Sequence, residues 1–273
     1  MRTELRPLST GELLDKVFTL YRGNFMVFAG IAAVAYVIPL ILRVFVVFLG
    51  GVPDRTAFNG GSVLATLIGA IGAVIAATIA QGGTVYAVST IYLGGTTSIR
   101  GALRRVSGKG WRIFGINFAV GLLVAFGLIL LIAPGFYWLA CYSLAIPAAV
   151  LEDLPVSDAL ARSKGLSEGS RLRILLVYVL VYVLQFVVGA AFGFLTIQIL
   201  SLTTVAGFSL VYVFQAVLQF IVNTLVFPLL TIALVLVYYD QRVRKEAFDL
   251  QHLMEAMGEA PAQSAMGASG ANG

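Results

Sequence analysis

Residues 208–239, FSLVYVFQAVLQFIVNTLVFPLLTIALVLVYY, carry no formal charge, and charge returns abruptly in the DQRVRKEAFDL that follows at 240–250. An apolar run beyond about 18 residues reads as a membrane-spanning helix. At 1.5 Å rise, about 32 residues measure about 48 Å against a hydrocarbon core of about 30 Å. The helix must therefore tilt, kink or project. Gln215, Gln219 and Asn223 recur every fourth residue and share one face. Pro228 cannot donate to the carbonyl of Thr224, which predicts a kink just past that polar stripe.

Composition agrees with the stretch. The chain is 59 % hydrophobic and 11 % charged, where soluble domains carry about 25 % charged residues. One or two water-soluble domains are excluded. The net charge of +5 sits beside apolar segments, so the expected partner is anionic lipid head groups and not nucleic acid. A single cysteine, Cys141, allows neither an intrachain disulfide nor a cysteine metal site. Residues 1–24 are charged and amphipathic, unlike a cleaved signal, so the first span is expected to remain in the mature protein.

Outward from the decisive stretch, five more spans are predicted, over about 25–49, 63–93, 113–133, 136–151 and 172–200. The first holds Pro39 and Arg43. A charge at mid-bilayer costs about 2.5–3.5 kcal/mol, so Arg43 should snorkel to the outer interface. Residues 50–61 form the first exit loop, Pro134-Gly135 a tight turn, and 201–207 a short turn. The second span carries Ala65, Gly69, Gly72, Ala76, Ala80 and Gly83 as one narrow stripe and reads as a central packing helix. A break at Gln81-Gly82-Gly83, lining a cavity, is the alternative. Gly189 and Gly193 give the fifth span a close-packing motif. The tail, 256–273, is poor in bulky residues and predicted to be disordered.

Three amphipathic stretches, about 10–22, 98–108 and 155–166, are too polar to span and apolar enough to lie on a bilayer. Ser9 and Glu12 fit a capping box for the first. Val156, Ala159, Leu160 and Ser163 follow Ile99, Ala102, Leu103 and Val106 at an offset of 57 positions. The chain therefore reads as a threefold repeat of one unit, an interfacial helix followed by two spans. This gives an all-α, polytopic bundle of six spans over residues 1–255. Six spans place 16 of the 18 bases on one side, all but Arg43 and Arg55. The positive-inside rule then puts both termini in the cytoplasm.

RPLSTGELLDKVFTLYRGNF at 6–25, ALRR at 102–105, ALAR at 159–162 and VYYDQRVRKEAFDL at 237–250 together resemble a bacterial family, the glycerophosphoryl diester phosphodiesterase membrane domain. The resemblance covers the chain nearly to Leu250. It implies a six-span topology in the bacterial inner membrane. The phosphodiesterase activity belongs to a catalytic barrel fused to such regions, and no barrel is encoded here.

No catalytic set is legible. The one histidine, His252, sits on the polar tail, and the carboxylates lie at span ends or on amphipathic helices. No acid, histidine or lysine falls within a predicted membrane core, which argues against a proton relay. No enzyme, cofactor or metal is expected. Neutral polar residues remain: Gln81, Gln185, Gln215, Gln219, Asn223 and Thr224, with Asn117 in the same class, read first as interhelical hydrogen-bonding groups and otherwise as candidates for a polar cavity. Arg100, Arg104, Arg105, Arg162, Lys164, Arg242 and Arg244 are candidate head-group contacts. Asp240 should pair with Arg242, Arg244 or a base of a neighbouring amphipathic helix. Two functions follow: a non-enzymatic scaffold that grips anionic lipid or a cytoplasmic protein, or a translocator of a lipid or small neutral or zwitterionic solute.

Overall fold

A computed structural model describes residues 9–48, 60–201 and 208–269. Within them run α1 (Thr10–Gly23), α2 (Phe25–Phe48), α3 (Gly60–Tyr92), α4 (Ile99–Val106), α5 (Gly110–Leu130) and α6 (Ile132–Tyr142). Then come α7 (Ala145–Leu151), α8 (Val156–Ser167), α9 (Arg171–Ser201) and α10 (Phe208–Ser269). The described residues contain no strand, and six helical stretches are long and apolar enough to cross a membrane. They are α2, α3, α5 with the α4 stretch before it, α6 with α7, α9 and α10. Most of the first exit loop and of the 201–207 turn lies outside the described residues.

The order short helix, span, span occurs three times, as α1–α3, α4–α7 and α8–α10. Each short helix buries an i, i+4 pair on one face: Leu13 and Val17, Ala102 and Val106, Ala159 and Ser163, all at most 5 % exposed. Ser9 closes the capping box of α1, accepting the Glu12 N–H at 3.3 Å while its own N–H donates to the Glu12 carboxylate at 2.8 Å. The apolar face of α4 was expected to lie on lipid, and it lies on the bundle. Ile99 seats against Gly30, Val106 against Gly82 and Leu103 against Gly83, where a Cβ would collide with them. Gln81-Gly82-Gly83 therefore does not break α3, which is helical throughout. Its glycines make room for a neighbour.

Two other expectations about the middle repeat are corrected. Pro134-Gly135 is not the turn between spans; the helices are separated three residues before Pro134, at an extended Leu131 with φ −162° and ψ 144°. Pro134 and Gly135 fall in the first turn of α6. A first-turn proline loses no helical hydrogen bond, because that N–H has no intrahelical acceptor. Gly135 faces Gly127 of α5 so closely that a Cβ on Gly127 would stand 2.8 Å from the Gly135 Cα. The fourth span is also two helices. Pro147 occupies the first turn of α7 and cannot bond to the Ser143 carbonyl, so α6 stops at Tyr142 and α7 restarts at Ala145. Two other backbone groups at this break are satisfied from α8: the Ser163 hydroxyl donates to Cys141 O at 2.8 Å and accepts the Leu144 N–H at 3.1 Å.

The encircled helix is α10 and not α3. Seven consecutive residues, Ile232 to Tyr238, are at most 8 % exposed, and a helix buried on every side lies at the centre of its bundle. The α3 stripe does pack closely on α2, with Gly72 against Leu42 and Ala76 and Ala80 wholly buried. Its Leu67, Ile71, Val74 and Ile75 face outward. Nor do Gly189 and Gly193 mediate a tight contact, since a Cβ at either would meet nothing within 4 Å. Beyond the core, α10 stays helical to Ser269, where disorder was expected from 256. Alanine, methionine, glutamine and glutamate dominate 251–263, and all favour helix.

Candidate functional site

The Gln81 and Asn117 side chains meet across α3 and α5, Asn117 Nδ2 donating to Gln81 Oε1 at 2.9 Å. They floor a cavity of about 390 Å³ walled by α5, α6, α7, α9 and α10. Along α5 it runs from Ile116 to Leu128, about 18 Å at helical rise. Most of the wall is apolar, from Val85, Val120, Val124, Leu139, Ile146, Phe227 and Leu234. Polar groups come from Tyr142, Ser143, Tyr178, Tyr182 and Thr231 beside the amide pair. Four lining residues, Gly121, Ala125, Leu128 and Tyr182, are exposed on the outer surface. The cavity is thus partly open, and its exposed lining residues come from α5 and α9.

The sequence candidates do not converge on it. Of the predicted polar-cavity set only Gln81 lines this space. Gln185, Gln215 and Gln219 share a separate crevice of about 100 Å³ with Gly189 and Gly193. Gln219 and Asn223, hydrogen-bonded at 3.1 Å, border another small crevice with Arg43. The stripe faces outward: Gln215 and Gln219 are exposed and Asn223 is half-buried. Thr224 lines none of these spaces, and its buried hydroxyl has no hydrogen-bond partner. Tyr142, Tyr178, Tyr182 and Thr231 were missed. One signal could have found the α9 pair: Tyr178 and Tyr182 stand one turn apart and stack at 6.0 Å.

At the Asp240 end of α10 the charged side chains pair with one another. Asp240, its carboxylate fully buried, holds Arg173 of α9 at 2.6 Å and Arg244 at 2.9 Å. Arg242 instead pairs with Glu246 at 2.8 Å. Arg162 of α8 bridges Glu152 and Glu246, and Glu152 accepts the Tyr238 hydroxyl. Burial works against the Arg162 charge, but its bonds to Glu246 and Glu152 outweigh that and raise its pKa further. Arg173 also donates to Ser9 O at 3.2 Å, and Lys245 to Gly165 O at 2.6 Å, so α1, α8, α9 and α10 are tied at one level. Lys109 and Arg112 close on Asp153 at 2.9 and 2.6 Å. Asp153 takes φ +58°, a left-handed conformation that aspartate tolerates.

These pairs divide the predicted head-group contacts. Arg162, Arg242 and Arg244 are engaged within the chain. Arg100, Arg104, Arg105 and Lys164 are exposed and make no ion pair among the described residues. The described residues hold no cluster of acids, histidine and cysteine suited to a metal. Comparison with protein-family models, curated proteins and solved structures returns no match to this chain.

Proposed function

We propose that this chain is a non-enzymatic membrane protein that holds a lipid, with hydrocarbon in the lateral cavity and acidic head groups drawn to Arg100, Arg104 and Arg105. One observation carries this reading: a partly open cavity of about 390 Å³, mostly apolar inside, whose exposed lining residues come from α5 and α9. An apolar pocket with a few convergent polar groups is the usual form of a small-ligand site. Here the exposed lining faces the layer where an acyl chain already lies, so entry needs no passage through water. The Gln81–Asn117 pair at the floor suits an ester or hydroxyl group, because each amide keeps a donor free. The basic flanks support an orientation in the bacterial inner membrane with both termini in the cytoplasm, and the three short helices then lie at the cytoplasmic interface. The resemblance to the phosphodiesterase membrane domain enters as topology alone.

A translocator is the second reading. It is the less favoured, because the crevices along Gln215, Gln219 and Asn223 share no lining residue with the main cavity.

The test is a lipid carrying a photoreactive group part-way down its acyl chain, reconstituted with the protein in nanodiscs. Peptide mapping after illumination should find label at Val124, Ala125 and Tyr182 in excess over Ile71 and Val74, which face outward on α3. Equal labelling of the two sets would contradict the reading.

A further inference from the structure

Arg43 is the one cation predicted away from the ends of a span, and the described residues give it neither an ion pair nor a hydrogen bond. It is half-buried and borders two spaces, a crevice of about 40 Å³ toward α10 and a larger one of about 270 Å³ toward α3. In the first it meets Gln219 and Asn223. In the second, Gly69, Ala70 and Ala73 leave the wall hollow, and Tyr212 closes the far side. Gln219 donates to Asn223 Oδ1 at 3.1 Å, and no hydrogen bond from the Asn223 NH2 occurs among the described residues. A guanidinium, an amide and a tyrosine thus border two hollows that share Arg43 and Ala73, and no acidic residue is among their described linings.

The depth of this cluster decides what could fill it. Gln219 and Asp240 are 21 residues apart on α10, about 32 Å at helical rise. That is the hydrocarbon thickness of a bilayer. With the Asp240–Arg173–Arg244 layer at one interface, Arg43 stands at the phosphate level of the other. The outer faces of α2 and α3 beside it are apolar, with Ile41, Phe45, Leu67 and Ile71 all exposed. A ligand there would present an anion to Arg43 and hydrocarbon to its surroundings.

We propose that Arg43, with Asn223 and Tyr212, binds the phosphodiester of an anionic lipid in the leaflet opposite the Asp240 layer. The site rests on the transmembrane reading of α2, α3 and α10 and is independent of the lateral cavity. Arginine suits it better than lysine, because the planar guanidinium can meet two phosphate oxygens at once.

The experiment is native mass spectrometry of the whole protein released from nanodiscs of zwitterionic lipid doped with a phosphatidylglycerol. Wild type should retain the anionic lipid, and Arg43→Gln should lower its retention by about tenfold, the loss expected for a charge-assisted bidentate contact. Arg43→Lys should fall between the two while preserving charge and the elution profile, which separates binding from folding. Replacing Arg100, Arg104 and Arg105 together by glutamine should remove only anionic lipid that Arg43→Gln leaves bound, and should keep the Arg43-dependent lipid in place. Soluble glycerol phosphate should not displace it; displacement would mark a site for free organophosphate and overturn the lipid assignment. Equal retention by wild type and Arg43→Gln would overturn the site. Because Asn117→Leu touches only the lateral cavity, its effect on retained lipid reports on that reading separately.

Discussion

The Ser163 hydroxyl of α8 stands in for the helical turn missing between α6 and α7, donating to Cys141 O and accepting from Leu144 N. Ser163 is 0 % exposed, so bulk water does not reach these groups. An unsatisfied buried backbone group costs about 1–3 kcal/mol. Ser163→Ala should therefore lower stability by about 2 kcal/mol, read as a fall in the thermal midpoint of the protein in nanodiscs. Ser167→Ala should cost less, because its bond to the same carbonyl is longer, at 3.3 Å. Equal, negligible effects of both would mean that the break does not depend on α8.

Two glycine sites should respond in opposite ways. At Gly127 a methyl group would press on the backbone of Gly135 at 2.8 Å, and backbone cannot swing aside as a side chain can. Overpacking of this kind costs about 1–3 kcal/mol, so Gly127→Ala should destabilise and separate α5 from α6. At Gly189 nothing lies within 4 Å, and Ala is the better helix former by up to about 1 kcal/mol. Gly189→Ala should be neutral or stabilising by the same thermal measurement.

Asp240 and Arg173 form the most enclosed ion pair among the described residues, with side chains 0 % and 16 % exposed. Removing one partner of a buried pair costs about 3–5 kcal/mol. Arg173→Gln should fall near about 3 kcal/mol, since Arg244 still reaches Asp240. Adding Asp240→Asn should recover part of the loss. A double-mutant cycle with no coupling would remove the pair from the account.

Lys109 first, and then Arg112, hold the Asp153 carboxyl below its usual range by hydrogen bonding to it. A depressed carboxylate stabilises the folded state above its ordinary pKa of about 3.9 and loses that contribution as pH falls through the lower folded value. The thermal midpoints of wild type and Asp153→Asn should thus differ at neutral pH and converge as the solution is acidified below about pH 4. A constant gap across that range would show that the pairing contributes nothing.

Much of this architecture is written in the chain as unbroken apolar length and in three short amphipathic faces. Leu13/Val17, Ala102/Val106 and Ala159/Ser163 are legible as one repeating pair because burial on a helix selects i, i+4 spacing. Prolines were harder to place. Pro134 and Pro147 each open a helix, and local pattern does not tell a proline that begins a turn of helix from one that ends it. The polar stripe Gln215–Asn223 misled for another reason: periodicity shows that three residues share a face, and only the neighbours decide whether that face looks in. The lateral cavity escaped because its polar groups are drawn from α3, α5, α6, α9 and α10. None of those helices marks it alone.

The central claim is that this cavity holds lipid hydrocarbon, and its most direct measurement is lipid retained by protein whose cavity has been filled. Val124→Trp places an indole against the Val120 and Leu139 walls and leaves the Gln81–Asn117 bond untouched. By native mass spectrometry from nanodiscs, the variant should fold, elute as wild type does and retain fewer lipid molecules per chain, with Arg43-dependent anionic lipid unchanged. Undiminished total retention by a well-folded Val124→Trp protein would contradict the account.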